Sequence, residues 1–277
     1  MKVPLTVIEA PAKLTLSLRV TGVRDDGYHL VDAEMVSLSL CDSLEIAPSR
    51  HTTSLTATGP YASGMPLDAT NLIATALDVA GHHAEVVVDK QIPHGGGLGG
   101  GSSDAAAILR WAGFRPSPSS LAAAAAIGAD VAFCLVGGRA RVRGIGEDVE
   151  PLPFVNRTVT LVVPPLNVST PAVYRAWDRL GGPVAEGPND LEPAALVVEP
   201  ALARWRDLIG DACGETPVLA GSGATWFVPG THDNALAAVG NEGADIIAVR
   251  TTRSPFDVHV RNEETGGTSG HDSGRTG

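Results

Sequence analysis

The segment best suited to chemistry is Pro93-His94-Gly95-Gly96-Gly97-Leu98-Gly99-Gly100-Gly101-Ser102-Ser103, in which six glycines surround one leucine. Glycine backbone visits positive φ without steric cost and can turn successive N–H groups toward one point. A helix opening at Ser102 would add its positive dipole end, making an anion cradle suited to phosphate. A G-x-G-x-x-G spacing falls on Gly95, Gly97 and Gly100. It does not read as a dinucleotide fold, because no acidic residue follows about 20 positions on and about ninety residues precede it. A Walker A loop fails too, since no Lys-Ser or Lys-Thr follows the glycines. A plain flexible linker would not run straight into Ser102-Ser103-Asp104 and a capped helix.

Composition narrows the partners. Lys and Arg number 20 against 31 Asp and Glu, a formal net charge of -11. Such a surface repels phosphate backbones and anionic lipid, which argues against nucleic acid and membrane. Hydrophobic residues make 44% and charged residues 18% of 277, enough for a packed core in one large or two modest domains. Pro4, Glu9 and Pro11 interrupt any signal-peptide core, and no run approaches the ~20 apolar residues of a membrane span. A soluble, cytoplasmic protein is expected. Cys41, Cys134 and Cys213 are odd in number, far apart and without a CxxC, so buried free thiols are expected rather than a disulfide or zinc site. Asn156-Arg-Thr158 and Asn167-Val-Ser169 match the glycosylation pattern by coincidence in a chain without secretion.

The elements that must position the loop follow from periodicity and turn residues. Residues 3–20 read as a strand, Thr21–Gly27 as a turn cluster, and 34–40 with 42–48 as a second strand pair. Asn71-Leu72 opens a helix that runs to Ala80 and closes on Gly81. Residues 84–93 form a strand leading into the glycines, 104–112 a helix with Gly113 behind it, and 119–127 an alanine-rich helix. From Gly128 the chain is rich in Gly and β-formers until the break at Pro151-Leu-Pro153, and strands and helices alternate again from Val159 to about 261. The expected organisation is an N-terminal unit at 1–155 carrying the loop, a C-terminal α+β unit at 156–261, and a disordered tail at 262–277.

Set in this order, five motifs resemble those of the GHMP kinases, and within them the branch acting on a cytidylylated methylerythritol. Ala10-Pro-Ala-Lys-Leu14 resembles the first motif, Asp26-Gly-Tyr-His29 the substrate turn, and Pro93–Ala106 the phosphate loop. Gly128-Ala-Asp-Val131, with Gly137-Gly138 and Gly144-Ile-Gly-Glu147, resembles the catalytic segment, and Leu219-Ala-Gly-Ser-Gly-Ala-Thr225 the third motif. They cover residues 9 to about 228 in family order.

The resemblance implies an α+β, two-domain GHMP kinase fold with its active site in the cleft between domains. It implies ATP as phosphoryl donor, Mg2+, and a small cytidylyl alcohol as acceptor. Lys13 and Asp130 become the acceptor-activating pair: a carboxylate accepts the alcohol proton as phosphorus is attacked, and an ammonium stabilises the developing alkoxide. Tyr28 and Tyr174 are implied to sandwich the cytosine while His29 reads its polar edge, and Thr15 and Gly221-Ser222-Gly223 to face the substrate. Asn71 either approaches the adenine or simply caps its helix. Mg2+ is usually held largely through phosphate oxygens. Ser102 or Ser103 could lend it a hydroxyl, Glu147 reads as structural, and no metal ligand is assigned.

Two positions depart from the family pattern: Thr15 stands where Asn is usual, and Ala132 where Pro often follows Gly-Ala-Asp-Val. Two alternatives therefore stay open, a GHMP kinase for another small alcohol and a catalytically silent nucleotide-binding homologue.

Overall fold

The computed structural model describes residues 5–253 and 258–259. The tail expected at 262–277 lies outside the described residues.

β1 (Thr6–Val23) and β2 (His29–Ser49) form a long antiparallel hairpin across a turn in which Gly27 takes φ +85. The sequence pattern divides β2 into two strands, whereas the structure runs through in one. Its partners explain why: β1 lies along one side, while on the other β5 (Arg139–Gly144) takes Val31–Val36 and β4 (His83–Asp89) takes Ser43–Ser49. β3 (Ser54–Thr58) adds in parallel to β4, β6 (Asp148–Pro151) pairs with β5, and β11 (Val258–His259) pairs with the start of β1, completing a seven-stranded sheet.

Helices α1 (Leu72–Ala80), α2 (Gly100–Trp111), α3 (Pro118–Ile127) and α4 (Val131–Val136) accompany this sheet, and α2 packs on β1. The segment 131–136 was expected to be β-rich. Its unbroken apolar run carries no period by which strand and buried helix can be told apart, and the structure makes it a buried helix. The second sheet has the antiparallel order β10 (Asp245–Arg250), β7 (Thr158–Val163), β9 (Trp226–Pro229), β8 (Val218–Leu219). α5 (Thr170–Arg179), α6 (Glu192–Val198), α7 (Ala201–Cys213) and the short α8 (Ala237–Gly240) complete this half.

Two cores result. The larger gathers Ile8, Ala10 and Leu18 of β1 with α1, α2 and α4 and extends to Trp205 and Trp226. The smaller lies between the sheets: Ala12 and Leu14 of β1 and Val36 and Leu38 of β2 meet Val159, Leu161 and Phe227. β1 changes sides between these cores at register shifts between Pro11 and Lys13 and between Thr15 and Ser17. On its open side β1 also takes chain from the second half, with Leu18 N–H donating to Pro188 O at 2.8 Å and Asp190 N–H to Leu18 O at 2.9 Å.

Cys134 is buried as expected, but Cys41 and Cys213 are only half-buried, and all three are free. Among the described residues no helix is long and apolar enough to cross a membrane.

Candidate active site

The phosphate loop leaves β4 and enters α2 two residues earlier than the sequence pattern suggests. α2 begins at Gly100, its N-cap is Gly99 at φ +68, and no side chain caps it, so Ser102, Ser103 and Asp104 lie within the helix instead of capping it. Gly100, Gly101 and Ser102 of its first turn line the concavity and no side chain caps them, which leaves their orphan N–H groups free for an anion. Leu98 is buried in the core between the sheets and pins the middle of the loop there. The concavity is lined by loop residues between Pro93 and Ser102, with Leu72, next to Asn71 in the segment the resemblance pointed to, and Ile92, which the sequence did not single out, forming an apolar wall.

Lys13 follows from this placement. The register shift after Pro11 turns its N–H away from the β2 ladder to donate to Leu98 O at 2.9 Å. Its side chain runs across Gly99, where an added Cβ would come 2.7 Å from Lys13 Cγ. The ammonium is buried, donates to Thr15 Oγ1 at 3.2 Å and lies 3.3 Å from Asp130 Oδ2. Asp130 precedes α4, yet its side chain makes no cap hydrogen bond and is 30% exposed. The pair assembled from the sequence is thus brought together beside the loop. Thr15, the departure from Asn, is buried and serves Lys13 directly.

The third motif closes the other side. A Cβ on Gly223 would stand 2.6 Å from Gly96 C and 2.5 Å from Gly97 N, so two stretches of bare backbone touch there. Gly221 faces Thr15 Oγ1, and the Ser222 hydroxyl pairs with Thr170 Oγ1 at 2.7 Å. Ser103 Oγ donates to Pro11 O at 2.7 Å and is fully buried, leaving Ser102 as the loop hydroxyl on the concavity. Glu147 Oε2 accepts from Ile145 N–H at 2.6 Å, a turn-building role as expected. Asn71 caps α1: Oδ1 accepts from Ile73 N–H at 2.8 Å and Nδ2 donates to Pro66 O at 2.6 Å. Both ends of its amide are therefore engaged with backbone.

Where the start of β2 meets α5, His29 and Tyr174 are ring neighbours with centroids 4.6 Å apart, and Trp177 meets His29 edge-on at 5.6 Å. His29 Nε2 lies 2.8 Å from Asp178 Oδ1, which fixes the imidazole against α5. Tyr28, expected to face Tyr174, is 61% exposed at the hairpin turn. Burial, with a smaller contribution from the Asp130 charge, pushes the Tyr174 phenol up to about 12.

A further cluster escaped the sequence reading. Lys90 Nζ donates to Asp104 Oδ2 at 2.7 Å and to Asp42 Oδ2, and all three side chains are fully buried. Burial raises the Asp104 carboxyl against the opposing pull of Lys90. Burial alone would lower Lys90, but Asp104 and Asp42 outweigh it and raise that ammonium. Lys90 and Asp104 flank the glycines closely in sequence, the one available signal, but a lone charge near a loop reads as solvated.

Residues 66–138 match the family described as GHMP kinases N terminal domain. A protein of Paracoccus denitrificans (strain Pd 1222) named 4-diphosphocytidyl-2-C-methyl-D-erythritol kinase is 39% identical over 237 residues, covering 79% of this chain and 84% of its own. One of the same name from Jannaschia sp. (strain CCS1) is 39% identical over 252 residues, covering 83% and 89%. The crystal structure of a 4-(cytidine 5'-diphospho)-2C-methyl-D-erythritol kinase superposes with a TM-score of 0.69 at 30% identity, covering 90% of this chain and 100% of that one. With a glycine loop feeding an uncapped helix, a Lys–Asp pair beside it and relatives matched over most of their length, the chain belongs to the GHMP kinase family, on the branch of the 4-diphosphocytidyl-2-C-methyl-D-erythritol kinases.

Proposed function

We propose that this ATP-dependent kinase transfers the γ-phosphoryl group of ATP to the 2-hydroxyl of 4-diphosphocytidyl-2-C-methyl-D-erythritol, a step of non-mevalonate isoprenoid precursor synthesis. The observation that carries the reading is the Lys13–Asp130 contact of 3.3 Å beside the phosphate loop. Asp130 accepts the proton of the acceptor hydroxyl, the alkoxide oxygen bonds to the γ-phosphorus, and the bond to the β-phosphate oxygen breaks to release ADP. Lys13, held by Thr15, stabilises the charge that develops between them. His29 and Tyr174 support a planar base at the far end of the cleft, with Tyr28 closing on it from the hairpin turn.

Mg2+ belongs to this reading. Among the described residues no group of three or more His, Cys, Asp or Glu could hold a metal ion. The protein oxygen that fits is the Ser102 hydroxyl on the concavity, Asp130 being engaged with Lys13 as the base. Such a sparse set suits an ion held mainly by phosphate oxygens, and when bound it neutralises charge on the β- and γ-phosphates. We also place the enzyme in the cytoplasm and keep units of 1–155 and 156–261. The first sheet's strands up to Pro151 and the second's from Thr158 support that division, while β11 crosses it to pair with β1.

ADP release measured with 4-diphosphocytidyl-2-C-methyl-D-erythritol, homoserine and mevalonate as acceptors tests the assignment. Turnover with the cytidylyl alcohol alone is expected. Preference for another alcohol, or no turnover with any, overturns it.

A further inference from the structure

Neither the Lys13–Asp130 pair nor the cytosine end of the cleft uses the charged cluster beneath the phosphate loop. Lys90 is 1% exposed, Asp42 0% and Asp104 1%. Lys90 lies just before the loop and Asp104 just after it, 14 positions on, so the contact of 2.7 Å between them closes the loop at its base. Asp42 joins from β2: its Oδ2 accepts from Lys90, and its Oδ1 accepts from the N–H groups of Gln91 at 2.6 Å and Ile92 at 2.9 Å, the two residues before Pro93. The first turn of α2 rests on the same group, since a Cβ on Gly100 would stand 3.3 Å from Asp42 Oδ2.

Buried charges are a poor choice for stability alone, because apolar residues of similar volume often do as well or better. Charge-assisted hydrogen bonds instead fix direction and separation, which apolar packing does loosely. The loop needs such definition, since its glycines give it little of its own and a shift of about 1 Å can cost a bound reactant up to 10²-fold in rate. We propose that Asp42, Lys90 and Asp104 form a buried brace that fixes the separation of the two ends of the phosphate loop, making them positioning residues for ATP. The proposal rests on ATP occupying that loop.

The double variant Lys90→Met/Asp104→Leu removes the charged contacts and leaves Asp42 on its two backbone amides. Calorimetric titration of the full chain with ATP reads affinity, kinetics read KM for ATP and for the alcohol separately, and thermal melts read folding. ATP affinity should fall about tenfold or more while the KM of the alcohol stays within about twofold and the melt remains cooperative. Asp104→Leu alone should weaken ATP in the same way, and Asp104→Asn should recover most of that loss, because its amide oxygen still accepts from Lys90. A folded double variant with unchanged ATP affinity overturns the brace. So do equal losses for both substrates, or a double variant that cannot fold, either of which would make the cluster ordinary core. Failure of the wild-type chain to bind ATP would instead remove the ATP reading itself.

Discussion

Asp130 occupies the N-cap position of α4, yet its carboxylate points to Lys13 Nζ, 3.3 Å away, and not to the helix that follows it. An aspartate there would ordinarily cap. Leaving the helix end without it keeps a carboxylate available in the cleft. Asp130→Asn should therefore fold normally and bind ATP while turnover falls roughly 10²–10⁴-fold, the contribution of a positioned general base. Lys13→Met should act on the same step, so the double variant should lose less than the product of the two single losses. Fully multiplicative losses in single-turnover rates would show that the two groups act on different events.

The Thr15 hydroxyl should matter to turnover more than to binding. It accepts from Lys13 at 3.2 Å in a buried site, and hydrogen bonds to charged groups contribute about 1.5–3 kcal/mol. Thr15→Val keeps the shape and removes the acceptor, so kcat should drop by about tenfold or more with KM for ATP little changed. An unchanged kcat would mean that Asp130 alone holds the ammonium in place.

Gly99→Ala should damage catalysis through Lys13. The residue sits at φ +68, and its new methyl would meet Lys13 Cγ at 2.7 Å, so the lysine must move or the loop must lift. Gly113→Ala, at φ +92 with nothing within 4 Å, carries the backbone cost without the collision. Comparing the two by melting temperature and kcat separates them: both should melt lower, and only Gly99→Ala should lose most of its activity.

On the acceptor side, Tyr174→Ala and Tyr28→Ala should each weaken the cytidylyl substrate by about 1–3 kcal/mol, the range for a base stacked on an aromatic ring. Tyr28 is exposed and should be replaceable without loss of stability, whereas Tyr174 also packs on His29 and should lower the melting temperature. ATP affinity is the control. A parallel fall in ATP binding would assign the tyrosines to the fold.

The Tyr174 phenol titrates late, at about 12, because burial and the Asp130 charge both oppose tyrosinate. A group raised in the folded state lends stability that is complete below its ordinary value, about 10, and is lost as pH climbs through the raised one. Following tyrosinate absorbance, Asp130→Asn should shift this step to lower pH. No shift would mean that burial accounts for the whole effect.

Residue types alone marked the glycine loop, and the resemblance of whole motifs supplied the rest of the candidate site. The loop was legible as an anion cradle, while Lys13 and Asp130 were legible only through the motifs around them, since a lone lysine on a strand or a lone aspartate before a helix reads as a solvated charge or a cap. The α1 cap at Asn71 and the stop at Gly81 were legible because capping is local. What escaped depends on distant partners. β2 looked like two strands because its alternation breaks near Cys41, and only the change of neighbour from β5 to β4 shows it to be one. Lys90, Asp42 and Asp104 come from a strand end, another strand and a helix, and beyond the closeness of Lys90 and Asp104 to the glycines nothing marks them as companions. The start of α2 was missed because glycine carries no side-chain cap to announce it.

The first strand of the chain is also among the last to be completed. β1 pairs with β2 along one side, but its other side takes Pro188 and Asp190 at Leu18 and Val258–His259 at Ile8 and Val7. On the ribosome, the strand bearing Lys13 must therefore wait, one flank unpaired, until most of the polypeptide has emerged. Contacts of such long sequence separation slow folding and leave a strand edge open to the wrong neighbour. Truncated chains ending before residue 188, which leave that flank of β1 open, should therefore accumulate as aggregates instead of as a folded half.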